Sequence, residues 1–527
     1  MNLKPFIAST AAAAVLAGGA LASATVGLLS PAQDDAVKMV PAEAFIYGNV
    51  FLDPSVPQKL ALKNLIAKFP KASTPEEAKA AIARLLDQGL KELGMSFSAD
   101  IEPWLGSQIA FFMMSPEGAP ATGTEALASN DLSTAFLIAT DDPSATQAAL
   151  EKALSSETAR SDPTTPQEPT SYGGVDLFVS SDSSDAAAVV DDFLVLGTEP
   201  GVKAVIDSGD KGSLGDSDRY AEAVSGLTED RLATLYVDPS KALSGFPPGM
   251  VPPAFASMGP VTSILYARSD AIVFESSVAP GISPLLGTEG TDLIETLPGD
   301  TWAAFGIPAF GQALEQTIGQ ITGSMPGAPS MEMIEGQVQS ATGLSLKEDV
   351  LSWLGDVAFF VRGGDVRSIG GGVVIKATDP AAAAKAMTKI KAALEKSGAP
   401  VVPLDMGNFD GFSIKDRFMP ESINFVLADQ RVVIAYGDDT TLAALGSDPS
   451  LSGDDDFVAA KAGLGDGFTV AGFVDVAGIV ELFDKEASSD PVYRNNVKPY
   501  LDRISFVVFG SHLQDGRLLT RAVIGVQ

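Results

Sequence analysis

A chain of 527 residues is too long to fold around a single hydrophobic core, so two or more domains are expected. The 35 basic and 67 acidic residues give a net charge of −32, which argues against nucleic acid as a partner because such a surface repels phosphates. The sequence contains no cysteine, which excludes disulfides, thiolate nucleophiles and thiolate zinc sites, and its single histidine is His512.

The amino terminus carries a long apolar segment. Lys4 precedes an apolar run over residues 6–29. At about 1.5 Å per residue the run can cross a hydrocarbon layer, and the basic flank predicts that the rest of the chain lies outside the membrane. Signal-peptidase-like sites end at Ala22 and Ala24, so a cleaved signal peptide is the open alternative. Residues 1–40 are assigned to this anchor or signal plus a short tether, and the body is predicted to be extracytoplasmic, either membrane-tethered or released by cleavage.

The body opens with a strand and two helices. A strand is predicted over residues 44–52, and apolar residues at helical spacing from Leu62 to Phe69 predict a helix that ends at Pro70. A second helix is predicted from Thr74, which forms a capping box with Glu77.

Strands dominate the sequence that follows. They are predicted at residues 109–114, 132–140, 175–179, 186–190 and 193–196, with a helix after the second of them. Asp191 and Asp192 predict a tight turn between the last two strands. A further hairpin is predicted about Ser269 and Asp270.

The same pattern then recurs. The stretch GMSFSADIEPWLGSQIAFF, from residue 94, returns as GLSLKEDVLSWLGDVAFF, from residue 343. We interpret the chain as two copies of one unit, at residues 41–285 and 291–527, and expect a final hairpin about Asp515 and Gly516. The ordered landmarks pair as Trp104 with Trp353, Pro143 with Pro380, Gly174 with Gly411, Gly197 with Gly437, and Asp238 with Asp475.

This order of elements indicates an α+β fold. Successive hairpins with helices inserted between them predict that each unit is a large, mainly antiparallel sheet with helices packed on one face. A parallel doubly wound sheet is the alternative.

No catalytic or cofactor motif is recognisable, so no cofactor is predicted. His512 is interpreted as a structural residue just past a strand. Two acidic loops are either calcium ligands or, the interpretation we favour, charges at the start of helices. These loops contain Asp210, Asp216 and Asp218 in the first copy and Asp454, Asp455 and Asp456 in the second.

Tryptophans and apolar loops are the remaining candidates. Trp104 and Trp353 each precede Leu-Gly and an Ala-Phe-Phe strand, which favours a core position over ring stacking on a ligand. Two loops rich in Met and Pro either seal a domain junction or bind an apolar or weakly cationic ligand. Their candidate residues are Phe246, Met250, Phe255, Met258, Met325, Met331 and Met333.

The start of the body resembles a family of exported bacterial proteins known as domain of unknown function 3352. The matching residues are Pro41, Ala42, Glu43, Asp53, Pro54, Gln58, Lys59, Lys68, Phe69 and Pro70, and the Trp-Leu-Gly and Ala-Thr-Asp-Pro elements are also similar. The resemblance implies an exported or membrane-tethered protein and no assigned activity.

Two functions follow as hypotheses. The first is a non-enzymatic envelope protein that binds a partner protein or an apolar ligand. The second is an extracytoplasmic hydrolase that acts through carboxylates, which a pocket lined by two or more close acids with raised pKa in only one copy would favour.

Overall fold

The computed structural model describes residues 33–69, 87, 95–115, 132–155, 169–180, 184–243, 259–278, 290–324, 330–364, 368–407, 409–446 and 449–527. The chain divides into two compact units. Unit 1 comprises Met1–Val251 and Phe255–Ala279, and unit 2 comprises Pro252–Ala254 and Pro280–Gln527. The apolar run over residues 6–29 and the second predicted helix lie outside the described residues, apart from Asp87.

Unit 1 contains an antiparallel sheet. Its strands pair in the order β4-β5-β6-β7-β3-β2-β1-β8-β9-β10. The strands are β1 (Ile46–Phe51), β2 (Leu105–Met114), β3 (Ser133–Thr140), β4 (Thr170–Tyr172), β5 (Val175–Val179), β6 (Asp185–Val190), β7 (Phe193–Thr198), β8 (Ala233–Val237), β9 (Val261–Arg268) and β10 (Ala271–Val278). The described helices are α1 (Val56–Ala67), α2 (Pro143–Ser155), α3 (Glu199–Lys211), α4 (Asp218–Val224) and α5 (Pro239–Leu243).

The strands of unit 2 also pair antiparallel, in the same order. The order is β14-β15-β16-β17-β13-β12-β11-β18-β19-β20. The strands are β11 (Thr301–Ile307), β12 (Leu354–Arg362), β13 (Gly370–Ala377), β14 (Val401–Pro403), β15 (Asp410–Ile414), β16 (Ile423–Ala428), β17 (Arg431–Tyr436), β18 (Thr469–Asp475), β19 (Ile504–Gln514) and β20 (Arg517–Val526). The described helices are α6 (Phe310–Ser324), α7 (Met331–Thr342), α8 (Pro380–Lys396), α9 (Asp438–Gly446), α10 (Asp455–Leu464), α11 (Val476–Ala487) and α12 (Lys498–Leu501).

The α+β class and the large antiparallel sheet are therefore confirmed. A duplication requires the two units to have the same strand order, and they do. The duplication itself stays a prediction, and superposition of the two units would test it. The three predicted hairpin turns are also confirmed, since Val190 pairs with Phe193, Arg268 with Ala271, and Gln514 with Arg517. Asp515 and Gly516 both have positive φ, the geometry of a tight hairpin turn.

The prediction of helices on one face of each sheet is wrong. Leu194 of β7 packs with Leu150 of α2, whereas the next residue, Val195, packs with Val202 of α3. Successive residues of a strand point to opposite faces, so helices cover both faces of the unit 1 sheet. In unit 2, likewise, Val432 lies in the cluster beneath α8 and the next residue, Val433, is buried on the other side.

The described part of the predicted tether packs against unit 1. Three residues of this segment are buried in the core of unit 1: Ala36 and Val37, which lie in a short helical turn, and Val40. The side chains of Ala36 and Val40 are 0 % exposed. The side chain of Asp34 is bonded to Tyr47 and Asn49 of β1. Residues 34–40 thus lie within unit 1, and we call them the strap.

Part of the second predicted apolar loop is helical. Met331 and Met333 lie in the first turn of α7, where the Ser330 hydroxyl caps the helix by accepting a bond from the Met333 amide. A cap residue at this position begins a helix where the sequence analysis expected a loop. Among the described residues, no helix is both long enough and apolar enough to span a membrane.

Candidate functional site

The main candidate site is a cavity of about 1040 Å³ that lies wholly in unit 1. Helix α3 forms one side, and Glu199, Lys203, Asp207 and Lys211 line it at intervals of four residues. Residues 41–43, the ends of β2 and β3, Tyr172 and the starts of α4 and α5 complete the lining. We call this cavity the α3 groove.

The sequence of α3 explains why its charged residues face the groove. Thr198 caps the helix by accepting a bond of 3.2 Å from the Gly201 amide, and Gly212, with φ of 96°, ends it. Val202 and Val205 face the sheet and are buried. At 3.6 residues per turn, the charged residues at four-residue intervals then fall on the opposite side of the helix.

Ion pairs and an aromatic ring lie along the α3 side of the groove. Lys203 Nζ lies 2.6 Å from Glu199 Oε1 and 5.0 Å from the centre of the Tyr172 ring. The Tyr172 hydroxyl donates a bond of 3.1 Å to Asp207, and this bond raises the pKa of Tyr172. Lys211 Nζ lies 3.0 Å from Asp207. These lysines are partly exposed, and pairs of this kind contribute only about 0–1 kcal/mol to stability, so they can be rearranged at little cost.

A more buried ion pair involves Arg219, another residue of the lining. Arg219 donates bonds to both carboxylate oxygens of Asp238, which is buried at the start of α5. Burial opposes ionisation of Asp238, but the bonds from Arg219 and Ser240 outweigh it and lower the pKa of this carboxyl. Lys241 donates a bond of 2.5 Å to the Ala42 carbonyl. Four basic side chains thus line one cavity.

Ser133 adds an uncommitted hydroxyl to this lining. It is the first residue of β3 and is only 1 % exposed. Its Oγ has no hydrogen-bond partner among the described residues. A buried hydroxyl without a partner is costly, so it favours a ligand or water that bonds to it.

The charge balance of the groove differs from that of the whole chain. Its lining has four basic residues and three acidic ones, Glu43, Glu199 and Asp207, which gives 4 − 3 = +1 in a chain of net charge −32. Including Asp238, the partner of Arg219, brings the balance to zero. The groove is thus neutral to weakly positive on a strongly acidic protein.

Unit 2 has no such basic set at the matching places. Helix α9, which follows β17 as α3 follows β7, contains no basic residue. Arg219 is the second residue of α4, and the second residue of α10 is Asp456. Lys241 and Gly478 are each the third residue after a capping aspartate, Asp238 and Asp475. The basic groove is a property of unit 1.

The apolar residues proposed from the sequence do not form this site. Phe246, Met250, Phe255, Met258 and Met325 lie outside the described residues. Met331 and Met333 belong to α7 of unit 2, and the side chain of Met333 is 53 % exposed. The apolar ligand site stays a prediction.

The other candidates take structural positions. Trp104 and Trp353 are 2 % and 3 % exposed, and each indole donates to a backbone carbonyl, of Asp100 and Asp349 respectively.

His512 lies within β19 rather than past its end, with its ring centre 5.6 Å from that of Phe468. The described part of the chain holds no group of three His, Asp or Glu side chains arranged for a metal ion. Asp454 instead caps α10 through the Phe457 amide.

Sequence reasoning missed the α3 groove. Alternating acidic and basic residues at four-residue spacing are typical of a solvated helix face, so Lys203 and Lys211 gave no signal by themselves. The available signal was the difference between the copies, with two lysines in α3 and none in α9.

A family model described as "Protein of unknown function (DUF3352)" matches residues 7–505. The chain belongs to this family. For this DUF3352 protein, the resemblance noted from the sequence is therefore confirmed over nearly the whole chain, and the family description assigns no activity. No curated protein matches the chain.

Two solved structures are similar to part of the DUF3352 chain. Crystal forms I and III of TP0453 are 13% and 10% identical, with TM-scores of 0.22 and 0.23. The matches cover 48% and 50% of this chain and 81% and 89% of the TP0453 chains. Scores this low carry no argument about fold or function.

Proposed function

We propose that this protein is an exported, non-enzymatic envelope protein whose α3 groove binds an organic ligand with an anionic group. The observation that carries the proposal is the basic set of Lys203, Lys211, Arg219 and Lys241 on one cavity of an otherwise acidic chain. Export rests on the apolar run over residues 6–29.

Electrostatics favour an anion in this place. A protein of net charge −32 repels anions over most of its surface, so an anionic ligand needs a local group of cations to bind. Lys203 and Lys211 have long side chains in partly exposed pairs, and they can turn from Glu199 and Asp207 to a ligand at little cost. The sequence favoured an apolar or weakly cationic ligand, and the groove shifts the proposal to an anionic one.

The size of the groove and its other residues favour a ligand that also has an apolar part. About 1040 Å³ lies at the upper end of the range for small-molecule pockets. Pro41, Met114, Pro200 and Ala204 place apolar surface beside the charged residues. An amphipathic molecule matches this mixture better than a small inorganic anion.

Two dyes with nearly the same rings and different charge test the proposal. Anilinonaphthalene sulfonate is anionic, and phenylnaphthylamine is its uncharged relative. We expect the anionic dye to bind more tightly to the full-length protein, and its affinity to fall about tenfold in the double variant Lys203→Met, Lys211→Met, which corresponds to about 1.4 kcal/mol. The affinity for the uncharged dye should change little.

The matched control is the double variant Lys347→Met, Lys461→Met in unit 2. Lys347 pairs with Glu315 and Lys461 pairs with Glu295 outside the groove, so their loss removes two positive charges without touching the proposed site. If the control weakens the anionic dye as much as the groove variant does, the dye senses net charge and not the groove. If neither dye binds the parent protein, the binding proposal fails.

A carboxylate-dependent hydrolase is the second candidate, and one observation favours it. Burial, followed by the nearby Asp456, Asp454 and Glu481, raises the pKa of Asp475 in unit 2, and burial likewise raises the pKa of Asp456. In unit 1 the same two places hold Arg219 and Asp238, so the acid pair occurs in one unit alone. However, the described cavity beside α11 is lined by Glu481 and Asp484 and not by this pair. A carboxyl NMR titration that gives Asp475 an ordinary pKa would remove this candidate.

A further inference from the structure

The strap of unit 1 docks against an unusual group of buried polar side chains. Asp34 Oδ1 accepts bonds from the Tyr47 hydroxyl, at 2.5 Å, and from Asn49 Nδ2, at 2.8 Å. Asn49 Nδ2 also donates to Gln108 Oε1, which accepts a bond from the Ala36 amide. The strap is thus held by hydrogen bonds as well as by its apolar residues.

Several buried polar atoms around these contacts have no hydrogen-bond partner among the described residues. Asn49 of β1 lies directly opposite Thr234 of β8, so their side chains share one face of the sheet. The Tyr220 ring packs on the same face, with its centre 6.1 Å from that of Tyr47. The atoms with no hydrogen-bond partner among the described residues are Asp34 Oδ2, Asn49 Oδ1, Tyr220 OH, Arg231 Nε and Thr234 Oγ1. We call these five residues the strap cluster.

These polar atoms without hydrogen-bond partners belong largely to buried side chains. Asn49, Thr234 and Tyr220 are 1 %, 3 % and 6 % exposed. Buried polar atoms are nearly always bonded to protein or to ordered water, since leaving them unpaired costs the full desolvation penalty. Five such atoms around one contact therefore point to an occupant that bonds to several of them.

Unit 2 shows that the scaffold does not need this polarity. Its places matching Tyr47 and Asn49 in strand register hold Ala304 and Gly306, whose cross-strand partners are Phe360 and Ala358. Phe457 is the third residue of α10, as Tyr220 is the third residue of α4. Unit 2 has apolar or small residues where unit 1 has polar ones.

We propose that the strap cluster is a hydrated site, in which ordered water molecules bridge the strap to β1, β8 and α4. Water can accept from Arg231 Nε and also donate to Asp34 Oδ2 and Asn49 Oδ1, whereas a metal ion could use the oxygens but would be repelled by the guanidinium. Buried waters typically make about three such bonds. Burial, the first cause, raises the pKa of Asp34 against the opposing bonds from Tyr47 and the field of Arg231, which agrees with a carboxyl enclosed away from bulk solvent.

Removing the Tyr220 or Thr234 hydroxyl tests whether water occupies this site, because the melting temperature should fall if it does and should not fall if the site is dry. In Tyr220→Phe and Thr234→Val, the melting temperature of unit 1 should fall by roughly 2–4 °C per lost bond, because a bridging water loses a partner. If the hydroxyls are unpaired in a dry core, their removal should instead leave the melting temperature unchanged or raise it, and that result overturns the proposal. Tyr47→Phe is the control, since its hydroxyl has a protein partner and its loss lowers the melting temperature in either case.

A high-resolution crystal structure of the unaltered protein gives an independent answer. Density for water at about 2.7–3.2 Å from two or more atoms of the strap cluster supports the proposal. A dry cluster overturns it, and so does a metal ion, recognisable by oxygen contacts of about 2.3–2.6 Å.

Discussion

Arg219 donates hydrogen bonds to both carboxylate oxygens of Asp238, and Nη2 lies 2.9 Å from Oδ1. In unit 2 the residues at the same places are Asp456 and Asp475, so a cation beside a capping carboxylate is replaced by a second carboxylate. The pKa of Asp238 is lowered, whereas the pKa of Asp475 is raised. One scaffold position therefore carries opposite electrostatics in the two units.

The first prediction uses asparagine, which caps a helix about as well as aspartate and removes only the charge. Asp238→Asn should destabilise unit 1 by about 1.5–3 kcal/mol at neutral pH, because it breaks charged hydrogen bonds to Arg219. Asp475→Asn should stabilise unit 2 at neutral pH, because it removes a charge that burial and the nearby acids disfavour. Calorimetry that resolves the two transitions measures both effects.

The pH dependence of stability gives a second check on the opposite effects expected for Asp238→Asn and Asp475→Asn. The lowered pKa of Asp238 means that its contribution is present above the unfolded pKa, about 3.9, and is lost as pH falls through the folded pKa. For Asp475, the raised pKa means that stability is highest below the unfolded pKa and is lost as pH rises through the folded pKa. Both variants should approach the parent protein in acid. Changes of the same sign at neutral pH would contradict this account.

The second prediction concerns the buried tryptophan of unit 2. Trp353→Ala should destabilise that unit by about 3–5 kcal/mol, because it removes a large side chain from the cluster beneath α8. Phe418→Ala is the control, since the Phe418 side chain is 79 % exposed and its loss should change stability little. An unchanged melting temperature for Trp353→Ala would restore the stacking hypothesis.

The third prediction concerns the strap. A chain that begins at Pro41 should be less stable in unit 1 by roughly 3–5 kcal/mol than one that begins at Gln33, because it lacks the buried Val37 and Val40. Chemical denaturation of the two chains gives the difference directly. Equal stability would mean that residues 34–40 are a tether after all.

The fourth prediction concerns location. Alkaline phosphatase fused after Gln527 should be active in a bacterial host, because the apolar run over residues 6–29 is expected to direct the chain out of the cytoplasm. A fusion that lacks residues 1–32 is the control and should be inactive. Activity in the control alone, or in neither fusion, would argue against export.

Much of the fold could be predicted because it depends on local signals. The turns at Asp191 and at Asp515 stand between alternating or apolar runs, and their residue types allow the positive φ that both adopt. The two-sided burial of each sheet was predictable but missed. The continuous apolar run Phe193-Leu194-Val195-Leu196 is typical of a strand buried on both faces, not on one.

The candidate site depends on distant residues, which is why the sequence did not indicate it. Tyr172, Lys203 and Lys241 meet in one groove only after β4, α3 and α5 have been placed around the sheet. No spacing rule joins them. The strap was missed for a related reason, since Ala36 and Val40 are too few residues to show a period, and only packing reveals that they are core.

A crystal structure of the full protein with bound anilinonaphthalene sulfonate shows whether the α3 groove binds an organic anion. We expect the dye in the α3 groove, with its sulfonate about 2.7–3.2 Å from a nitrogen of Lys203, Lys211, Arg219 or Lys241. A dye bound only elsewhere, with the groove filled by water alone, would contradict it.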